Sequence, residues 1–191
     1  DADSGAYRWH FQTTPGDSWD YTATQPIILA DIEINGVLRK VLMQAPKNGY
    51  FYVLDRVTGE FISGDNYVYQ NWTTGLDAKG RPIEAPGARY LSGQSHWLTP
   101  GPLGGHNWFP MAFNRDTGLD YIPTGRQSMA YTYNPAMGYA SHEAIAGRIG
   151  GNISLESKLY NQPVFDPKAP PPGQRSGRLV AYDPVRHEEV W

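Results

Sequence analysis

An eleven-residue pattern occurs four times along this chain, and its recurrence constrains the fold more than any single residue. The fullest copy runs from Ala181 to Trp191, with a small residue first, Asp183 third and an aromatic residue last. The other copies end at Trp9, Ser63 and Ile122. The copies recur at intervals of roughly 50 to 70 residues, which is too long for most helical repeats and suits a four-stranded β-sheet with its loops.

Each copy predicts a strand, a turn and a second strand, because apolar residues flank Asp or Asn and Gly. A series of such sheets around an axis is a β-propeller, in which each sheet covers the apolar faces of its neighbours. The alternative is that Asp-x-x-Thr-Gly is only a common turn, but four copies with flanking strand patterns favour a repeat. The chain also starts inside one copy and stops at the end of another. We therefore expect an all-β internal segment that covers about three to four blades of a larger propeller.

The composition excludes several classes of function. The formal net charge is −3, so the chain lacks the electrostatic footprint of a nucleic-acid-binding protein. No apolar run approaches the length of a membrane span. The absence of cysteine excludes disulfides, thiolate zinc sites and a Cys-x-x-Cys-His haem attachment, within this stretch only. The 21 glycines and 16 prolines suit tight turns between short strands and argue against helices.

The turn residues predict a sheet built from consecutive hairpins. Strands are expected at Ile27–Ile34 and Arg39–Gln44, joined through Asn35-Gly36, and at Phe51–Leu54 after the Asn48-Gly49 turn. Further hairpins are expected for Phe109–Phe113 with Leu119–Ile122, and for Arg178–Tyr182 with Glu188–Trp191. The stretches Asp65–Pro102 and Gly125–Gly177 carry few strand patterns, and loops of this length are usually binding loops, lids or linkers.

Common catalytic motifs are missing from the sequence. Ser92–His96 has the wrong spacing for a Gly-x-Ser-x-Gly elbow. Gly101–Gly105 lacks the Lys-Ser/Thr pair of a phosphate-binding loop. The five histidines show no pairing at metal-ligand spacing, so we expect surface or structural roles for them.

Three short segments combine turn residues with chemically useful side chains. Asp20 stands between two aromatic residues, Lys47 is at the tip of a predicted hairpin, and Asn107 and Trp108 follow two glycines that permit close backbone approach. Each has a structural alternative: Asp20 as a turn cap, Lys47 as a solvated loop charge and Trp108 as a core residue. The segments are Thr14–Thr22, Ala45–Tyr50 and Gly104–Trp108.

Together with Val53–Arg56 and Ala181–Trp191, these segments resemble the pyrroloquinoline quinone-dependent alcohol dehydrogenases, and most closely their quinohemoprotein branch. The repeat resembles that family's tryptophan-docking motif, whose indoles lock neighbouring blades of an eight-bladed propeller. The resemblance implies that residues 1–191 are part of one quinoprotein β-propeller domain. It is dense over residues 1–80 and 100–122 and at the C-terminus, and thin over Gly125–Gly177. The chain departs from the motif at Ser63 and Ile122, which replace Trp, and at His187, which replaces Gly.

The resemblance implies roles for four residues. Asp20 matches the catalytic aspartate beside the metal ion, and Lys47 matches the basic residue that contacts the reactive ortho-carbonyls of the quinone. Asn107 and Trp108 match an element that borders the cofactor. In such a site, a carboxylate near Ca²⁺ takes the hydroxyl proton of the alcohol while hydride leaves carbon for the quinone. Ca²⁺ acts as a Lewis acid on the quinone carbonyl, and the Lys ammonium stabilises the negative charge that develops there.

The implied protein is a periplasmic enzyme that oxidises small primary or secondary alcohols with pyrroloquinoline quinone and Ca²⁺. Electrons would leave through a haem c, on a C-terminal domain outside this segment or on a separate cytochrome c, or pass to a membrane quinone. Thr22 stands where lanthanide-dependent relatives carry an extra carboxylate, which implies Ca²⁺. Two alternatives stay open: another quinoprotein of the same fold that oxidises glucose or polyols, and a non-catalytic propeller scaffold.

Overall fold

The computed structural model describes residues 1–90, 96–131 and 176–191, and the regular elements of these residues are all β-strands. The predicted all-β class is therefore confirmed. None of the described residues forms a helix that could cross a membrane. The strands are β1 Ile28–Ile34, β2 Val37–Gln44, β3 Tyr50–Asp55, β4 Phe61–Asn66, β5 Thr73–Leu76, β6 Pro82–Glu84, β7 His96–Leu98, β8 Ala112–Asn114, β9 Leu119–Arg126, β10 Met129–Tyr131, β11 Ser176–Asp183 and β12 Glu188–Glu189.

The first sheet is an antiparallel meander in the order β1-β2-β3-β4. Asn35 and Gly36 close the β1–β2 hairpin with φ values of 52° and 75°, so both central residues have the left-handed conformation that a type I′ turn requires. This turn pairs Ile34 with Val37. The hairpins predicted at Asn35-Gly36 and before β3 are confirmed.

The second sheet has the order β12-β11-β9-β8 and is also antiparallel. Its central pair joins β9 to β11, from Ser176 opposite Arg126 to Tyr182 opposite Asp120. The third and fourth copies of the repeat form the two hairpins of this one sheet. The expectation of one copy per sheet is therefore wrong here, because the same turn chemistry closes any tight hairpin, whichever strands it joins.

All four copies of the repeat form the same turn. In each copy the amide of the seventh residue donates to the carbonyl of the third over 2.8–2.9 Å. The third side chain accepts the amide two residues further on. The seventh residue has a φ between 60° and 77°, a region that favours glycine, and His187 adopts it without being glycine. The pairs are Asp1–Gly5, Asp55–Gly59, Asn114–Gly118 and Asp183–His187.

The two four-stranded sheets share one apolar core. The rings of Phe51 on β3 and Tyr182 on β11 have centroids 4.8 Å apart. Val41 and Met43 from the first sheet and Ile122 from the second are fully buried in the same cluster. Burial of these side chains is the main favourable contribution to the packing of one sheet on the other.

A second, aromatic core lies under the stretch Asp65–Pro102, which was predicted to be largely irregular. This stretch contains β5, β6 and β7, each only three or four residues long, in two two-stranded sheets. The core is centred on Trp72, whose ring lies 4.8 Å from Trp19 and 5.1 Å from Tyr21. The other predicted loop, Gly125–Gly177, lies mostly outside the described residues.

The two predicted docking tryptophans differ in their surroundings. A Cβ built on Gly59 would lie 2.5 Å from the Trp9 ring, so the indole at the end of the first copy rests on the turn glycine of the second. Trp191 has 59% of its surface exposed, and its ring contacts Tyr121 at 5.9 Å. Within the described residues Trp191 therefore packs on its own sheet, and its docking between neighbouring blades stays a prediction.

Candidate active site

Asp20 lies on a loop, residues 13–22, that leads into the first sheet. Its neighbours Trp19 and Tyr21 are both fully buried and stack at 5.7 Å. Asp20 has a φ of 67°, a left-handed conformation that costs a non-glycine residue roughly 1–2 kcal/mol. Its side chain is 55% exposed. The packing of its two neighbours in the core therefore leaves the Asp20 carboxylate accessible from solvent.

Lys47 lies in the turn that connects β2 to β3, and its side chain is only 9% exposed. Its Nζ donates a hydrogen bond to Asp20 Oδ2 over 3.1 Å. Burial of an ammonium is costly unless the charge is paired, and Asp20 supplies that partner. The structure thus brings together two of the predicted site residues, and the alternative of Lys47 as a solvated loop charge is wrong.

Asn48 ties this turn to the loop that carries Asp20. Its buried side chain donates hydrogen bonds to Thr13 O and to the Tyr52 hydroxyl, both over 3.0 Å, while Trp72 Nε1 donates to Asn48 O over 2.8 Å. The sequence predicted Asn48 only as a turn residue. Its hydrogen bond to Thr13, 35 residues away, shows that it also ties the Lys47 turn to the Asp20 loop.

The segment Gly104–Trp108 packs against the backbone of Lys47. A Cβ on Gly104 would lie 2.5 Å from Lys47 Cβ, and the amide of Gly105 donates to Lys47 O over 3.0 Å. The predicted close backbone approach at these glycines is therefore confirmed. The buried ring of His106 has its two nitrogens 2.8 Å from Ala45 O and 2.7 Å from Phe109 O, which is the structural role expected for it.

Asn107 and Trp108 extend from this segment without touching the ion pair. The Asn107 amide donates to Leu103 O over 2.9 Å. Trp108 is 78% exposed, so the alternative of Trp108 as a core residue is wrong. Among the described residues no hydrogen bond links either side chain to Asp20 or Lys47. The segment contacts Lys47 through Gly104 and Gly105 instead.

A cavity of about 580 Å³ opens beside Asn107. It is lined by Leu103, Asn107 and Phe109 and by residues at the end of β9 and the start of β11. This volume is within the range of small-molecule sites. Asn107 is therefore placed to contact a ligand of cofactor size.

A second carboxylate, Asp17, lies near the Asp20–Lys47 pair. Its Oδ1 accepts the Trp19 amide over 2.9 Å. Burial raises the pKa of Asp17, and the nearby charge of Asp20 raises it further. Within residues 1–90, 96–131 and 176–191, no three acidic or histidine side chains cluster as a metal site. A Ca²⁺ ion at Asp20 would therefore need oxygen ligands from elsewhere, because Ca²⁺ takes six to eight.

Comparison with known proteins defines the class of domain. Residues 1–64 match the family model described as the β-propeller domain of glucose, ethanol and alcohol dehydrogenases with PQQ (pyrroloquinoline quinone). The crystal structure of the quinohemoprotein alcohol dehydrogenase from Comamonas testosteroni superposes with a TM-score of 0.84 and 41% identity, over 100% of this chain and 27% of that one. A europium-containing methanol dehydrogenase superposes with a TM-score of 0.71 and 29% identity, over 95% of this chain and 29% of its own.

Sequence relatives give the same assignment. The chain is 44% identical to the Comamonas testosteroni enzyme over 191 residues. The aligned region covers 100% of this chain and 26% of that protein. The chain is also 44% identical to 1-butanol dehydrogenase (cytochrome c) from Thauera butanivorans, over 99% of this chain and 26% of that protein. The chain spans about a quarter of the length of these relatives. Along its whole length the chain is similar to part of these alcohol dehydrogenases, and residues 1–64 match the β-propeller domain of the pyrroloquinoline quinone-dependent family.

Proposed function

We propose that the full-length protein is an alcohol dehydrogenase that uses pyrroloquinoline quinone and Ca²⁺, and that residues 1–191 form part of one eight-bladed propeller domain. The observation that carries the proposal is the contact between buried Lys47 and half-exposed Asp20. Asp20 matches the family's catalytic aspartate, and Lys47 matches the basic residue that contacts the quinone. Identity to alcohol dehydrogenases along the whole chain supports the same activity.

The residues present fit such a cofactor. Lys47 offers an ammonium with three donors, of which one is directed at Asp20 and the other two have no hydrogen-bond partner among the described residues, so they can approach an anionic quinone. Asn107 lines the cavity with an amide, and Trp108, the next residue in sequence, exposes its indole. When bound, the quinone would accept the hydride from the alcohol and Ca²⁺ would polarise its carbonyl.

Asp20 would act as the general base. Its carboxylate is open enough for a small alcohol to reach, and the hydrogen bond from Lys47 fixes its orientation. A base must lie within hydrogen-bond distance of the proton it removes, so this fixed orientation is a requirement of the reaction. Asp20 would also be the metal ligand that this segment contributes. The positive charge of Lys47 would stabilise the negative charge that develops on the ortho-carbonyls of the quinone.

Two alternatives are weaker on specific grounds. A non-catalytic scaffold has no use for a left-handed, half-exposed aspartate beside a buried lysine, because both features cost stability. A glucose or polyol dehydrogenase would share the fold, but the relatives compared above are named for alcohols and 1-butanol. We further propose a periplasmic location and cytochrome c or a membrane quinone as electron acceptor; one relative is named for cytochrome c.

The test uses the full-length protein loaded with pyrroloquinoline quinone and Ca²⁺. Quinone binding is followed by absorbance, and turnover is measured with 1-butanol, ethanol and glucose and an artificial electron acceptor. We expect stoichiometric quinone binding and faster turnover of the primary alcohols. Absence of quinone binding would identify a scaffold, and faster turnover of glucose would identify the other quinoprotein class.

A further inference from the structure

Arg89 holds the loop that presents Asp20. Its guanidinium donates to the carbonyl of Gly16, to Pro15 O at 3.4 Å and to Ser18 Oγ at 3.3 Å. The same group lies over the Trp19 ring, with Cζ 4.3 Å from the ring centroid. One side chain therefore contacts four of the five loop residues just before Asp20.

The neighbours of Arg89 in sequence contact the same loop. The Tyr90 hydroxyl donates to Ser18 O over 2.6 Å, and Trp19 Nε1 donates to Ala88 O over 2.8 Å. The loop has no strand pairing of its own around Asp20, so these contacts replace a sheet ladder. They fix the backbone on the N-terminal side of a residue that itself has a strained, left-handed conformation.

Glu84 fixes the orientation of Arg89. The two side chains form a fork, in which Arg89 Nε donates to Glu84 Oε2 over 2.9 Å and a terminal nitrogen donates to Oε1. This hydrogen bonding is the main cause that lowers the pKa of Glu84 and raises that of Arg89. A fork of this kind is a planar, directional contact that lysine cannot reproduce.

We propose that Arg89 is a positioning residue for Asp20: fixed by Glu84, it holds residues 15–19 so that the carboxylate stays in line with Lys47. The inference rests on the proposed function, because it assigns Arg89 a part in the work of Asp20. Arg89 makes no contact with Asp20 itself, and its effect passes through the loop backbone and the Trp19 ring. Displacement of a reacting group by about 1 Å can cost a hundredfold in rate, so loosening of this loop should reduce turnover.

The test compares Arg89→Lys with Arg39→Lys in the full-length, quinone-loaded enzyme. Arg39 is a matched control, since its side chain is 31% exposed against 30% for Arg89 and is likewise paired to acidic residues, Asp55 and Glu60. We expect kcat to fall about ten- to a hundredfold in Arg89→Lys, with quinone affinity retained, and to change little in Arg39→Lys. In an Asp20→Asn background, Arg89→Lys should cause no further loss.

A second readout does not depend on activity. Amide hydrogen exchange over residues 13–22 of the quinone-free protein should accelerate in Arg89→Lys and stay unchanged in Arg39→Lys. Equal loss of turnover in the presence and absence of the Asp20 carboxylate, or unchanged exchange in Arg89→Lys, would overturn the proposal. If the wild-type protein oxidised no alcohol, the proposed function would fail, and Arg89 would lose its part in catalysis even if exchange showed that it holds the loop.

Discussion

Lys47 Nζ lies 3.1 Å from Asp20 Oδ2, across 27 residues of sequence, and the two partners differ in exposure. The Lys47 side chain is 9% exposed, while that of Asp20 is 55% exposed. The buried partner is held by the turn that Asn48 anchors, and the accessible partner is held by the loop that Arg89 contacts. This asymmetry suits a site in which a fixed cation orients a carboxylate that must meet substrate.

Replacement of Lys47 should affect cofactor and rate together. In Lys47→Met the chain keeps its length but loses the charge, so we expect weaker quinone binding and a fall in turnover of about 10²–10³, typical for loss of one preorganised charge-stabilising donor. Lys47→Arg should be milder, because the charge survives although guanidinium geometry differs. Quinone titration and turnover check both, and unchanged affinity in Lys47→Met would remove Lys47 from the cofactor site.

A methyl group at Gly104 should displace the Lys47 turn. Gly104 has a φ of 78°, and a Cβ there would meet Lys47 Cα at 2.6 Å. Gly118 is the control, with a φ of 71° and no atom within 4 Å of such a Cβ. Both alanine variants bear the left-handed cost of about 1 kcal/mol, but only Gly104→Ala should also lose most turnover. Thermal unfolding and turnover are measured for both variants. Equal thermal stability and equal turnover would show that the Lys47 turn accommodates the methyl group at residue 104.

Asp120 should make stability depend on pH. It is fully buried at the interface between the two large sheets, and its carboxylate and the hydroxyl of its register partner Tyr182 have no hydrogen-bond partner in the part of the chain that the structure describes. Burial raises the pKa of Asp120 from 3.8 to about 7. Between these values the folded protein keeps a proton that the unfolded chain releases, so the free energy of unfolding falls as pH rises and levels off above about 7.

Asp120→Asn should remove this dependence, because the amide stays neutral at every pH. At pH 8 the variant should be more stable than wild type by up to about 4 kcal/mol, whereas the exposed Asp116→Asn should have little effect. Denaturant unfolding at pH 5 and pH 8 measures both variants. The burial of an unpaired carboxylate would be contradicted if the free energy of unfolding of the wild-type protein rose from pH 5 to pH 8 and Asp120→Asn left this pH dependence unchanged.

Thr22 leads us to expect a calcium enzyme. It stands two residues after Asp20, where the resemblance to lanthanide-dependent relatives implies an extra carboxylate for a trivalent ion, and threonine supplies only a neutral hydroxyl. Full-length protein reconstituted with Ca²⁺ should be more active than protein reconstituted with La³⁺, and Thr22→Asp should shift the preference toward La³⁺. Greater activity of the wild-type protein with La³⁺ would show that Thr22 does not set the metal.

The sequence predicted those parts of the fold that depend on local chemistry. Asn35-Gly36 requires a tight hairpin, and the third and seventh positions of the repeat require one particular turn, so both were predictable. The pairing of β9 with β11 was not, because it joins strands more than 40 residues apart and no local rule selects the partner. The short strands β5, β6 and β7 were missed because they lie in a stretch rich in polar and turn residues.

The candidate site likewise has residues that the sequence predicted and residues that it did not. Resemblance located Asp20 and Lys47, and the structure shows them in contact. Asn48 and Arg89 were missed because their importance lies in contacts to backbone carbonyls far away in sequence, at Thr13 and Gly16. A turn asparagine and a surface arginine have no sequence pattern that reports such contacts. The spacing Asn48-Gly49 indicated the turn, but only the fold shows what the side chain holds.

The most direct test of the account is turnover of the Asp20→Asn variant of the full-length, quinone-loaded protein with a primary alcohol and an artificial electron acceptor. Asparagine keeps the shape of the side chain and can still accept a hydrogen bond from Lys47, but it cannot take a proton. We expect turnover to fall by about 10²–10⁴, the usual contribution of a general base, while the quinone stays bound. Retention of more than about a tenth of wild-type turnover, with the quinone bound, would contradict the assignment of Asp20 as the base.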